Sequence, residues 1–196
     1  MRQAALAAAL LLAACQGGGE DGNAAAPPSG NAAATAGGPT PKAAPAQTLA
    51  QFIAGSGEHK MLARAIQAAG LSATLSGAGP YTLFAPTDAA FAKLPAGAAE
   101  GLMQPGSKGQ LTRLLVFHAV PGVVMAQDLE RAIDKAGGKA KLATLGGGTL
   151  TFARADGGLS VTDGRGGVAR IARADAAQSN GVVHSVDAVL MPAEGR

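Results

Sequence analysis

The side chains of this 196-residue chain most able to do chemistry are three histidines, one cysteine, and a serine directly after a histidine. His59, His118 and His184 fall in separate predicted elements. None is paired as His-x-x-x-His, no helix carries a Glu between two of them, and there is no second cysteine. Zinc sites show such local pairs, so the pattern argues against a metal centre, and no cofactor is expected. Hydrolysis would need a nucleophile on a strained turn, and no Gly-x-Ser-x-Gly occurs. Ser185 follows His184 on a predicted strand, so the two point to opposite faces and cannot pair. No glycine-rich loop leads from a strand into a helix with a lysine placed for phosphate. His118 and His184 read instead as core histidines bonded to backbone. His59, beside Lys60 on a first helical turn, reads as exposed. No enzymatic activity is expected.

Cys15 points to a different chemistry. Arg2 precedes an unbroken apolar run, Ala4 to Ala14, too short to span a bilayer as a helix but suited to the core of a secretory signal. The run ends in Leu12-Ala13-Ala14-Cys15, which resembles a bacterial lipobox, with Cys15 the acylated first residue of the mature protein. Several acyl chains, at about 0.8 kcal/mol per buried CH₂, hold firmly where one is marginal. Residues 1–14 are thus expected to be a leader and Cys15 the lipid-attachment site. With no other cysteine, an internal disulfide is excluded. Residues 15–47 are rich in Ala, Gly and Pro without apolar period and read as a flexible linker of roughly 30 Å reach. The expected location is the cell envelope, lipid-anchored, at the periplasm, outer membrane or cell surface. A net charge of +3, scattered and without aromatic interleaving, argues against nucleic acid.

The elements that must position the histidines follow from Thr48 onward. Thr48 to Ile53 reads as a short capped helix, and Ser56-Gly57-Glu58 as the start of a second, with Met61, Leu62, Ala65, Ile66 and Ala69 on one face. Tyr81 to Ala85 is a strand, stopped by Pro86. Thr87 is placed to cap the following helix, and Asp88 to favour its dipole. Ser107 reads as the cap of a helix carrying Leu111, Leu114, Leu115 and His118. Val123 to Met125 reads as a short strand, and Asp128 to Ala136 as a helix. From Lys141 the period changes to hairpins: Leu142–Leu145, Thr149–Arg154, Leu159–Thr162 and Val168–Ala174, then an Asn180-Gly181 turn and a last strand over Val182–Met191. Helices first and a mostly antiparallel sheet second make an α+β fold.

Three blocks then stand in order: Tyr81-Thr82-Leu83-Phe84-Ala85-Pro86-Thr87-Asp88-Ala89-Ala90-Phe91; Phe117-His118-Ala119-Val120-Pro121-Gly122; and Asn180 through Pro192, which contains Gly181-Val182-Val183-His184-Ser185-Val186-Asp187. Together they resemble a fasciclin domain, over residues 48–192, with 193–196 a short tail. The resemblance implies a wedge of twisted, mostly antiparallel sheet packed with several helices. It makes Thr87, Asp88, His118, Asn180, His184 and Asp187 motif positions of structural role. It also implies a non-catalytic module for adhesion or for contact with a protein or matrix partner at the cell surface. The family often has Tyr where this chain has Phe117, which reads as a core residue. The alternative reading is a carrier of a small apolar ligand, such as a pigment, in a helix–sheet cleft.

Overall fold

The structure is a computed structural model that describes residues 47–155 and 157–193. Cys15, the leader and all but the last residue of the linker lie outside them. Seven α-helices occur among the described residues: α1 Leu49–Gly55, α2 Lys60–Ala69, α3 Ser72–Ser76, α4 Asp88–Ala92, α5 Ala98–Leu102, α6 Lys108–Phe117 and α7 Ala126–Lys135. The strands are β1 Tyr81–Pro86, β2 Ala119–Pro121, β3 Lys139–Ala143, β4 Thr149–Ala155, β5 Gly158–Thr162, β6 Val168–Gln178 and β7 Gly181–Val186. They form one seven-stranded sheet in the order β2-β1-β7-β6-β5-β4-β3. All neighbours are antiparallel except β1 and β7. Backbone bonds from Leu145 N–H to the Ala119 carbonyl (2.8 Å) and from Gly146 N–H to the Val116 carbonyl (3.1 Å) bring the turn after β3 against the start of β2 and the end of α6, so the sheet curls almost into a barrel. The fold is α+β.

Pleat alternation splits the buried side chains into two cores. On one face Leu83, Ala85 and Val183 meet Leu49, Leu62, Ile66, Leu111, Leu114 and Leu115 of the helices. On the other, Phe84 and Val186 meet Phe152, Leu150 and Val161 of the hairpins and Leu129 and Ile133 of α7. β1 and β7 are therefore buried on both faces, as a parallel pair requires. Their close approach needs Gly181, because a Cβ there would strike the Tyr81 carbonyl.

Several local expectations are corrected. The second helix begins at Lys60, not Ser56. His59 is its N-cap, and Ser56 turns back to bond the His59 ring, Oγ to Nδ1 2.8 Å. His59 is buried rather than exposed, at 1%, and its Nε2 has no well-formed hydrogen bond among the described residues; Lys60 takes the solvent side. Ser107 does not cap α6. It ends a 3₁₀ turn, Pro105–Ser107, at φ −100°, ψ 6°, and a capping hydroxyl requires extended backbone. The strand lies at Ala119–Pro121 rather than Val123–Met125, because Gly122, at φ +92°, turns the chain out of the sheet. The last strand stops at Val186. Beyond it, side chains replace the ladder: Leu190 N–H goes to His118 Nε2 and Met191 N–H to Asp163 Oδ2.

Candidate interaction surface

The turn after β2 is held by side chains from three strands. Thr82 on β1 donates its hydroxyl to the Gly122 carbonyl (2.8 Å) and accepts from Val124 N–H (2.9 Å). His184 on β7 donates Nε2–H to the Val124 carbonyl (2.8 Å). The His184 Nδ1 accepts from Asp175 N–H (3.2 Å), and the Asp175 carboxylate accepts from Ala126 N–H, the first residue of α7 (2.7 Å). Asp175 adopts φ 60° where the β6–β7 register shifts; a bulge re-aims backbone in this way. The His184 ring stacks on Phe84, centroids 5.3 Å apart. Between these pins Val123 projects and is 51% exposed.

Val123 and Met125 form one wall of an open groove of about 600 Å³. Pro80 and Ala78 form another, and Ala177, Asn180 and Val182 complete it. Asn180 locks the hairpin tip at the rim. Its Oδ1 accepts from Leu49 N–H (2.8 Å), and its Nδ2 donates to the Leu75 and Gly77 carbonyls (2.8 Å each). The Gln47 carbonyl accepts from both Ser179 N–H and Ser179 Oγ, so the chain enters the domain beside this rim.

The remaining motif residues are spread over the fold as single ties. Thr87 Oγ1 accepts from Ala90 N–H (3.3 Å) at the start of α4. Asp88 accepts from Met61 N–H at the start of α2 (2.8 Å). Asp187 accepts from Arg170 N–H (2.7 Å) and from Lys93 Nζ (3.0 Å). Burial alone would raise the Asp187 pKa, but these donors outweigh it and hold the carboxyl below its usual range. His118 is fully buried. Its Nδ1–H donates to the Leu114 carbonyl (2.8 Å), and its Nε2 accepts from Leu190 N–H (3.0 Å). Burial pushes its pKa down to about 4, against the weaker opposing pull of the Leu114 bond and the Asp163 charge. Burial likewise lowers His184, against the Val124 bond and Asp175. A carbonyl can only accept and a backbone N–H can only donate, so each ring is neutral with its proton on a fixed nitrogen. Neither has a nitrogen left for metal or proton transfer.

Among the described residues no three His, Cys, Asp or Glu gather to hold a metal. No described helix is long and apolar enough to cross a membrane. The cavity between helices and sheet, lined by Leu62, Ile66, Leu71, Leu75, Leu83 and Leu115, has about 30 Å³. That is room for one or two water molecules, against the roughly 300 Å³ or more of a ligand pocket. Thr82, Asp175 and Val123, which build and display the groove, carry no sequence signal of that role. Thr82 reads as a strand residue, and Asp175 as one acid among alanines.

The fasciclin domain profile matches residues 57–192. The chain is 38% identical over 147 residues to Protein sll1483 of Synechocystis sp., an alignment covering 75% of this chain and 74% of that protein. It is 32% identical over 148 residues to transforming growth factor-beta-induced protein ig-h3 of Sus scrofa, covering 76% of this chain but 20% of the longer relative. In structure it is similar to a FAS1 domain pair from the insect cell adhesion molecule fasciclin I, with TM-score 0.68 and 17% identity, over 75% of this chain and 51% of that one.

Proposed function

The chain belongs to the fasciclin domain family, and from that premise we propose that it is a non-catalytic binding module of the cell envelope. It is held there by lipid on Cys15 and the linker to residue 47, and it makes contact with a protein or matrix partner. The observation that carries this reading is the Val123 groove. A large apolar side chain stands half-exposed on a loop pinned by Thr82, His184 and Asp175. Partner recognition favours a pre-organised loop, because little ordering entropy is then lost on binding. The solved pair of similar fold comes from a cell adhesion molecule, and the proposal extends a contact role of that kind to this chain. The interior cavity of about 30 Å³ supports contact over pigment carriage.

Two variants and a control test it. Cys15→Ser should move the protein from the membrane to the soluble fraction. The released protein, fluorescently labelled, should then bind intact source cells saturably. Adding Val123→Glu should reduce that binding at least about tenfold with unchanged thermal unfolding. Adding Val168→Glu, at a residue 61% exposed outside the groove, should leave binding intact. Membrane retention of Cys15→Ser would refute the anchor. Equal binding by the two glutamate variants would refute the surface.

A further inference from the structure

A second groove, of about 420 Å³, lies at the other end of β6 and β7 from Val123. Its wall includes Ser185, which is 6% exposed and whose hydroxyl makes no hydrogen bond among the described residues. Register places it: Ser185 pairs with Arg173 across β6 and with Ala85 across β1, so the three share one face of the sheet. Glu58, Thr87, Asp88 and Arg173 also line the groove.

Each of these groups keeps unused bonding capacity towards a ligand. Glu58 Oε2 and Arg173 Nη1 stand 3.6 Å apart, both more than half exposed. Asp88 Oδ1 accepts from Met61 N–H, and Oδ2 has no bond among the described residues. Thr87 Oγ1 accepts from Ala90 N–H, and its own proton has no acceptor among the described residues. Buried side chains are ordinarily hydrogen-bonded, so the bond-free Ser185 hydroxyl on the wall of this groove sets it apart from the satisfied rings of His118 and His184.

The charge balance selects the ligand. Two carboxylates face one guanidinium, so a phosphate or a second carboxylate would be repelled and an ammonium attracted. Interleaved hydroxyl, carboxylate and guanidinium groups match a ring of hydroxyls, each able to donate and accept. We propose that this groove binds an amino sugar, with the ammonium against Asp88 Oδ2 and Glu58 and the hydroxyls on Ser185, Thr87 and Arg173. It is separate from the Val123 surface and does not depend on it.

The test is titration of the ¹⁵N-labelled full chain with glucosamine, N-acetylglucosamine and inorganic phosphate, followed by amide NMR. Glucosamine should give saturable shifts at Glu58, Thr87, Asp88, Arg173 and Ser185 at concentrations below about 50 mM. N-acetylglucosamine, which lacks the charge, should bind about tenfold more weakly. Asp88→Asn keeps the acceptor for Met61 and should lose about tenfold, as should Glu58→Gln at its exposed position. Ser185→Ala should weaken binding several-fold. If it fails to fold, the two isosteric variants decide. Absent saturation, shifts confined to other amides, equal affinity for N-acetylglucosamine, a preference for phosphate, or unaltered binding by Asp88→Asn and Glu58→Gln would each overturn the proposal.

Discussion

β1 and β7 run parallel within the sheet with both faces buried, whereas β3 and β4 are hairpin strands that alternate between the core and solvent. The two regions are held by different means. The central pair carries long-range side-chain ties: Thr82 to the loop after β2, His184 to Val124 and Asp175, and Asn180, at the turn into β7, to α1 and α3. The hairpin half is filled by Phe152, Leu150 and Val161 against α7. Within its hairpins the side-chain bonds are short-range, Thr144 to Gly148 and Ser160 to Ala153, with an exposed Arg154–Asp134 ion pair outside; the turn after β5 reaches further, through Asp163 to Met191 and Arg165 to Pro192. The difference shows where specificity lies. A hairpin is set by alternation and turn residues, while a strand buried on both faces can position loops only through polar groups that each find a named partner.

The largest expected effect lies in the hairpin half. Phe152→Ala removes a fully buried ring packed at 5.1 Å on Phe84 and should cost about 3–5 kcal/mol in denaturant unfolding. A loss below about 1 kcal/mol would mean that apolar burial does not hold this half.

Next comes acid sensitivity in the central half. The folded pKa of His118, about 4, lies below its unfolded value near 6.5, so the neutral ring favours the fold. Its contribution is fully present above about pH 6.5 and is lost as pH falls towards 4, where the unfolded chain binds the extra proton. On the order of 3 kcal/mol should disappear across that window, and His118→Gln should flatten the slope. The lowered pKa of His184 adds in the same direction. A stability profile flat between these pH values would contradict the tie.

The smallest effect should be at Arg154. Its ion pairs with Asp134 and Glu130 are about half exposed at each end, and surface pairs of this kind contribute little. Arg154→Ala should unfold indistinguishably from the parent. A clear drop in melting temperature would give the hairpin half a polar staple after all.

Legibility in the sequence follows the same division. The hairpins are readable from period and turn residues, and Tyr81 to Phe91 from its strand, proline stop and Thr87 cap, because each signal is local; their bounds are less so, since the strand expected over Leu142–Leu145 lies at Lys139–Ala143 and the one expected to end at Ala174 runs through a register shift to Gln178. Residues whose roles depend on a distant partner are not readable. His59 sits beside Lys60 in a polar stretch, and only the Ser56 turn and the packing around α2 show that it is buried. Val123 to Met125 has strand composition, yet Val124 gives its N–H and carbonyl to Thr82 and His184 instead of to a ladder. Asp175 reads as one more strand position, and its left-handed backbone is set by the pull of His184 and Ala126.

Imidazole nitrogen NMR of the native domain tests the central claim most directly, namely that the motif histidines are neutral ties that fix the loops. At about pH 6 His118 should be neutral with its proton on Nδ1, bonded to Leu114, and His184 neutral with its proton on Nε2, bonded to Val124. A protonated ring at that pH, or tautomers in free exchange, would contradict the account and return both histidines to the list of groups available for chemistry.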